Sequence, residues 1–266
     1  METKLQAPRL ECLKAQLGFG SVFVVDCVGR SGGLGLLCSL EIDVTIQNYS
    51  RRHINAVVRV GTLGQPWKFT GFYGHPEITK RKEAWSLLQH LKDFSSRAWL
   101  CIGDFNEIVS GEEKSGERKT PRWQMDAFKD TLEVCQLIDL GYTGPLFTWS
   151  NKREDRHFTQ ERLDRALSNL AWTDLFPNHL VEVMAARSSD HSPLSVTILR
   201  DGALRDRSNR RFSYEASWGK MRENKEAIKQ GEEGNLRQKE IQTLQDDLNE
   251  LLFEDEVKWK QRAKEH

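Results

Sequence analysis

The strongest constraint on the fold is the alternation of short apolar runs and amphipathic stretches through the first 200 residues. The run at residues 98–102 is apolar and stops at a glycine, which is typical of a buried central strand. Residues 82–94 and 123–135 place their apolar side chains on one face at helical spacing. Strands that interleave with helices in this way predict a layered α/β architecture.

Further strands are predicted where β-rich runs are bounded by turn residues. They lie at residues 22–25, 34–40, 44–46, 54–60, 68–73, 147–150 and 194–199.

The sequence changes character near residue 200, where a strongly charged segment begins. Apolar residues recur in it at alternating spacings of three and four, at Ile241, Leu244, Leu248 and Leu251. This pattern predicts an amphipathic helix with a short coiled-coil-like seam. Short seams are marginally stable alone, so docking within the chain is favoured over oligomerisation. We therefore divide the chain into a domain at residues 1–200 and a helical extension at residues 201–266.

Composition excludes several classes of protein. No run approaches about 18 apolar residues, so a membrane span is excluded, and the first residues do not resemble a secretory signal. The cysteines, five in number, are widely spaced without a C-x-x-C pair, which indicates reduced thiols in an intracellular protein. The 39 basic and 39 acidic residues cancel, so net charge does not indicate a nucleic-acid partner.

Polar residues cluster where predicted strands end. Asp104 and Asn106 directly follow the strand at 98–102, at the end of a sheet where α/β proteins bind ligands. Asp190 and His191 precede the last predicted strand, and histidine is the natural proton carrier near neutral pH. Alone, the first pair is also compatible with an Asx turn or a helix cap. The second pair alone favours a surface turn without function.

The polar residues at strand ends are more informative when their order along the chain is considered. The ordered motifs are Met1-Glu2-Thr3-Lys4, Gly71-Phe72-Tyr73-Gly74, Gly103-Asp104-Phe105-Asn106, Phe147-Thr148-Trp149-Ser150, Arg162-Leu163-Asp164-Arg165 and Ser189-Asp190-His191. The series resembles the endonuclease/exonuclease/phosphatase family, which has the DNase I-like fold. Within it, the chain is most similar to the endonuclease domain of plant LINE-type (non-LTR) retrotransposon polyproteins. The resemblance implies a four-layer α/β sandwich of two packed β-sheets.

The resemblance also implies a set of site residues. The catalytic residues would be Tyr73, Asp104, Asn106, Asp164 and His191. The residues that line the phosphate pocket would be Thr148, Trp149 and Ser189. The metal ligands would be Glu2 and Asp190, with Mg²⁺ as the ion and Mn²⁺ as an alternative. Asp104 would activate water, Asn106 and Tyr73 would hold phosphate oxygens, and Asp164 would support a protonated His191 at the scissile phosphate.

The implied function is metal-dependent nicking of target DNA by a nuclear, retroelement-type endonuclease. Alternatives are cleavage at abasic sites, hydrolysis of a small phosphomonoester, and a catalytically silent remnant that only binds. The family begins with a strand and a helix that precede the position of Glu2, so we expect this chain to lack both and to have weak activity. The tail resembles the linker that leads to a reverse transcriptase.

Overall fold

The computed structural model describes residues 3–29, 31–61, 64–92, 97–186 and 189–198. All of them belong to the first of the two units into which the chain divides, Met1–Leu199. The expected metal ligand Glu2 and the expected helical extension, residues 201–266, lie outside the described residues. No helix within the described ranges is long and apolar enough to cross a membrane.

The described residues form helices and strands in mixed order. The α-helices are α1 (Ala7–Gln16), α2 (Arg81–Leu91), α3 (Arg122–Cys135) and α4 (Leu170–Leu175), and short 3-10 turns lie at Ile78–Lys80 and Gly111–Glu113. The strands are β1 (Ser21–Val28), β2 (Ser31–Cys38), β3 (Ile42–Ser50), β4 (His53–Val60), β5 (Trp67–Tyr73), β6 (Trp99–Asp104), β7 (Lys114–Ser115), β8 (Ile138–Asp139), β9 (Trp149–Ser150), β10 (Gln160–Glu161), β11 (Asp164–Ser168), β12 (His179–Val183) and β13 (Leu194–Ile198).

The centre of the domain is a six-stranded sheet with the order β3-β4-β5-β6-β11-β8. Strands β5 and β6 are parallel, whereas β3, β4 and β11 pair antiparallel with their neighbours. The crossover from β5 to β6 contains α2, as a parallel connection requires. The sheet is therefore mixed, and its parallel pair has both carboxyl ends at one edge.

Helices α2 and α3 cover one face of this sheet. The helix predicted at residues 123–135 is confirmed, and the one predicted at 82–94 is confirmed as far as Leu91, where α2 ends; residues 93 and 94 lie outside the described residues. Trp85 of α2 stacks on Phe128 of α3 with ring centroids 4.7 Å apart, and both rings are buried. They pack on Trp99, Cys101 and other residues of the sheet in a single apolar cluster. Burying apolar side chains against the sheet supplies most of the stability of such short helices.

Two hairpins and a helix cover the opposite face. Strands β1 and β2 pair antiparallel, as do β12 and β13, and side chains of both hairpins contact the sheet in apolar clusters. Helix α1 packs on the first hairpin, where Leu10 lies against Gly35. The order from one surface to the other is helices, sheet, hairpins and helix. This is the predicted four-layer α/β sandwich.

Helix α1 had no counterpart among the sequence predictions. Only Leu10 and Leu13 of its ten residues are buried, which leaves too few apolar positions to reveal a helical period. The one clear local signal is Pro8, which stands at the start of the helix, where its fixed φ is favourable.

Candidate active site

Three polar side chains lie in a row at one edge of the six-stranded sheet. Tyr73 at the end of β5 pairs in register with Asp104 at the end of β6, and Asp104 pairs with Asp164 at the start of β11. Directly paired residues point to the same face of a sheet, so these side chains lie side by side. The row faces the hairpin layer at the carboxyl ends of the parallel strands.

Close approach of the backbone shapes this edge. Gly103 has a φ of +150°, and a Cβ there would overlap the carbonyl oxygen of Phe72. A Cβ on Gly74 would overlap the carbonyl oxygen of Phe105 in the same way. The glycines therefore let the ends of β5 and β6 come together directly beside Asp104.

His191 reaches the row from the loop that precedes β13. Its backbone forms an isolated bridge with Trp149 of β9, which fixes the loop against the small sheet β7-β10-β9. Nδ1 of His191 lies 2.8 Å from Oδ2 of Asp164, and Nε2 lies 3.9 Å from Oδ2 of Asp104. The imidazole thus joins the two carboxylates that the strand register places side by side.

Asn106 holds Asp104 in position. Its φ of +55° lies in the left-handed region that asparagine tolerates. Its backbone N–H donates to Oδ1 of Asp104 at 2.8 Å, and Nδ2 donates to Oδ2 at 2.7 Å. Nδ2 also lies 3.3 Å from the carbonyl oxygen of Gly74. The expected contact between Asn106 and a phosphate oxygen would have to replace one of the Nδ2 bonds.

The environment shifts the pKa of both Asp104 and His191. Burial, and next the charge of Asp164, raise the pKa of Asp104 to about 7, although His191 and the N–H of Asn106 act in the opposite direction. Burial alone would lower the pKa of His191, but the hydrogen bond and charge of Asp164, with Asp104 and Asp190, raise it. Asp104 can therefore take up a proton near neutral pH while His191 stays charged.

Thr148 has a different place from the one that we expected. Its side chain is 1% exposed, and its hydroxyl oxygen accepts hydrogen bonds from the backbone N–H groups of Leu163 at 3.0 Å and Asp164 at 2.9 Å. A buried hydroxyl that accepts two backbone donors does not line a phosphate pocket. Thr148 instead fixes the backbone that carries Asp164.

The remaining predicted residues lie around His191 and not within the row. The hydroxyl of Ser189 accepts a hydrogen bond from the backbone N–H of His191 at 3.1 Å. Asp190 is exposed, and its Oδ2 accepts a hydrogen bond from Nε1 of Trp149 at 3.2 Å. These contacts orient the loop that presents the imidazole.

The row also offers ligands to the divalent cation that the family resemblance implies. Asp104, Asp164 and His191 have ligand atoms within 4.8 Å of one another. Asp190, which we expected to bind the metal, is not in this group. The carboxylates of Asp104 and Asp164 are buried, and among the described residues no lysine or arginine forms an ion pair with either. A hard cation would bind both carboxylates and offset their repulsion. The residues present therefore fit the ion.

Sequence reasoning missed a buried ionic cluster directly behind the row. Arg165 is paired with Glu113 and lies 2.9 Å from Asp139. Arg162 lies 3.0 Å from each of the same two carboxylates. Burial alone would raise the pKa of Glu113, but the hydrogen bonds and charges of the arginines hold it below its usual range. The cluster holds the chain on both sides of Asp164, because Arg162 precedes this residue and Arg165 follows it. In the sequence, the cluster was visible only as charged residues around Leu163.

Comparison with known proteins identifies what this architecture is similar to. Residues 2–191 match the Endonuclease/Exonuclease/phosphatase family. The endonuclease domain of TRAS1, a telomere-specific non-LTR retrotransposon, is similar with a TM-score of 0.52 and 19% identity, over 68% of this chain and 80% of that chain. At this identity the likeness shows the fold, and it confirms the predicted DNase I-like class.

Two further solved structures have lower TM-scores, and they add no argument about function. Truncated Caenorhabditis elegans TDP2 has a TM-score of 0.46 and 13% identity, over 74% of this chain and 82% of that chain. The mannosyl-6-phosphatase of Bacteroides thetaiotaomicron has a TM-score of 0.46 and 16% identity, over 72% of this chain and 82% of that chain. No curated protein matches the sequence.

Proposed function

The chain belongs to the endonuclease/exonuclease/phosphatase family, whose chemistry is hydrolysis of phosphate esters, and we propose that it is a metal-dependent endonuclease that nicks DNA. The observation that carries the proposal is the 3.9 Å separation between Nε2 of His191 and Oδ2 of Asp104. A phosphate group that lies over this pair meets a cationic donor in His191 and, in Asp104, a carboxylate that can hold a water. Phosphodiester hydrolysis needs both groups.

Asp104 acts as the general base in this mechanism. Its carboxylate takes a proton from the attacking water while the water oxygen forms a new bond to phosphorus. The bond between phosphorus and the 3′ oxygen breaks, which leaves a 5′ phosphate and, after protonation by solvent, a 3′ hydroxyl. Without a cation the pKa of Asp104 is about 7, and a bound cation lowers this pKa because it favours the carboxylate. Asp104 is therefore ionised near neutral pH and can accept a proton.

His191 stabilises the charge that develops on the phosphate. Its Nδ1–H donates to Asp164 at 2.8 Å, which leaves Nε2–H as the donor that faces the substrate. A donor of fixed direction in a partly buried site stabilises an oxyanion more strongly than water does. Asp164 therefore acts through His191, because it sets the orientation and charge of the imidazole.

The cation would be held by the carboxylates of Asp104 and Asp164, together with Glu2 as the ligand that the family resemblance implies. When bound, it supplies Lewis-acid stabilisation of the phosphoryl oxygens. Magnesium is the ion that we propose, because it is bound by few carboxylates together with waters and substrate phosphates.

DNA is proposed as the substrate because the motifs resemble those of LINE-type endonucleases, and such an enzyme would act in the nucleus. The test is conversion of supercoiled plasmid to open circles with Mg²⁺, compared with the same reaction in excess chelator. We expect nicking with the ion and at least a tenfold loss without it, because the two carboxylates repel the substrate when no cation is present. Equal rates with and without chelator would contradict a metal-dependent mechanism.

The same assay separates the alternative functions. An oligonucleotide with a single abasic site and a set of inositol and sugar phosphates are offered at equal concentration. Faster cleavage at the abasic site, or release of inorganic phosphate without nicking, would replace the proposed substrate. Plasmid binding without any hydrolysis would identify a silent binding module.

The rate of nicking is expected to depend on pH with two limbs. Activity rises with pH as Asp104 loses its proton, and this limb lies below about pH 7 because a bound cation favours the carboxylate. Activity falls at higher pH as His191 loses its proton, above the usual histidine range because its pKa is raised. Values of kcat/KM measured across the pH range report both limbs.

The His191→Gln variant assigns the limbs to residues. We expect it to lose the falling limb and to keep the rising one at a lower overall rate. Loss of the rising limb instead would mean that His191, and not Asp104, is the base.

A further inference from the structure

The turn between β3 and β4 places an arginine beside the row of site residues. The backbone carbonyl of Arg52 accepts a hydrogen bond from the N–H of Tyr73 at 2.7 Å. Its guanidinium carbon lies 5.0 Å from the centroid of the Tyr73 ring, a distance typical of a cation–π contact. Arg52 therefore covers the Tyr73 end of the row, whereas His191 covers the Asp164 end.

A shared acceptor links Arg52 to the catalytic residues. Nη1 of Arg52 donates to the carbonyl oxygen of Gly74 at 3.3 Å, and Nδ2 of Asn106 donates to the same oxygen at 3.3 Å. The guanidinium thus lies within two hydrogen-bond lengths of the amide that holds Asp104. It is near the gap between His191 and Asp104 without being in it.

Most of the donor capacity of Arg52 is not used by the described residues. A guanidinium has five N–H donors in a planar fork that suits phosphate oxygens. Among the described residues, only the bond from Nη1 to Gly74 engages it, and no carboxylate forms an ion pair with it. The ring of Tyr73 and the carbonyl of Gly74 hold this cation in place, and in the part of the chain that the structure describes no carboxylate lies within ion-pair distance of its remaining donors.

We propose that Arg52 and the ring of Tyr73 form a second phosphate subsite, which binds the phosphate next to the scissile one on the nicked strand. The inference rests on the proposed function, which puts the scissile phosphate over Nε2 of His191 and Oδ2 of Asp104. A single phosphoester does not reach both positions, whereas a polynucleotide does. The subsite therefore selects a nucleic-acid strand over a small phosphate ester, and it uses binding energy remote from the reacting bond.

The test measures DNA binding separately from hydrolysis. Binding of duplex DNA is measured in the Asp104→Asn background at several salt concentrations, with and without Arg52→Ala. We expect affinity to fall about 10- to 100-fold, as for loss of a charge-assisted hydrogen bond. The slope of log K against log salt should decrease by about 0.9, the value for one phosphate contact in duplex DNA.

Two further variants control for charge and for folding. Arg59→Ala removes the same charge from an exposed residue near the other end of β4, and it should leave the salt slope unchanged. Arg52→Lys keeps the charge without the planar fork, so its slope should stay near the unsubstituted value while its affinity falls. An Arg52→Ala slope equal to that of Arg59→Ala would overturn the subsite.

Hydrolysis of a small diester separates this inference from the proposed function. With Asp104 intact, Arg52→Ala should slow plasmid nicking by a larger factor than hydrolysis of bis(p-nitrophenyl) phosphate, which occupies only the scissile position. An equal loss on both substrates would place Arg52 at the scissile phosphate and overturn the subsite. If the wild-type protein hydrolyses neither substrate, the proposed function fails, while the salt slopes still report on Arg52.

Discussion

The Asp104→Asn variant is expected to nick supercoiled plasmid about 10²- to 10⁴-fold more slowly than the wild-type protein, the loss typical of removing a general base. Asparagine has nearly the same shape and keeps an oxygen that can accept from the N–H of Asn106. It cannot take up the proton of the attacking water. The initial rate of open-circle formation at saturating Mg²⁺ measures the effect.

Stability should not change in the same direction as activity. Asp104 is 2% exposed and lies beside Asp164, and this burial and repulsion raise its pKa. Removing the charge relieves this repulsion, but the new amide nitrogen cannot accept the bond that Oδ2 accepts from Nδ2 of Asn106. The two effects oppose each other, so the midpoint of thermal unfolding should stay near the wild-type value. Asp126→Asn, in an exposed position on α3, is the matched control. A variant at Asp104 that nicks as fast as this control would refute the assignment of the base.

The Glu113→Gln variant is expected to lower the free energy of unfolding by about 3–5 kcal/mol, the cost of breaking a buried ion pair by removing one partner. The side chain of Glu113 is 9% exposed and contacts both Arg162 and Arg165. Glutamine keeps the size of the side chain but leaves two buried guanidinium groups to share the charge of Asp139. Urea unfolding measures the change, and the midpoint should fall while the slope m is unchanged.

An adjacent residue provides the control for this substitution. Glu112 lies in the same 3-10 turn but is exposed, so Glu112→Gln should change the free energy by less than about 0.5 kcal/mol. Similar destabilisation by both variants would mean that the buried cluster contributes no more than a surface charge. Because Arg162 and Arg165 flank Asp164, Glu113→Gln should also slow nicking under conditions where the variant is folded.

Local sequence patterns were sufficient to predict many of the elements. The apolar run that ends at Gly103 is β6, and the helical periods are α2 and α3, because burial of one helix face or of a whole central strand leaves a regular trace in the sequence. The short strands β8, β10 and β12 left no such trace. Strands of two residues have no measurable period, and β12 alternates only between partly and fully buried positions.

The candidate site was predictable by family resemblance, but the roles within it were not. The motif containing Thr148 suggested a phosphate contact, whereas the hydroxyl oxygen accepts two backbone hydrogen bonds in the interior. The sequence did not indicate a role for Arg52, because an arginine in a turn between strands is usually a solvated charge. Its place beside Tyr73 depends on the pairing of β4 with β5, which no local pattern specifies.

By itself, the sequence determined the α/β class, the family and the identity of the polar residues at strand ends, because periodicity and motif order are properties of neighbouring residues. Only the tertiary structure decided which of these residues meet. Strand register places Tyr73, Asp104 and Asp164 side by side, and a backbone bridge to β9 brings in His191 from 27 positions beyond Asp164. These pairings join residues far apart in the chain, and packing of the whole domain selects them.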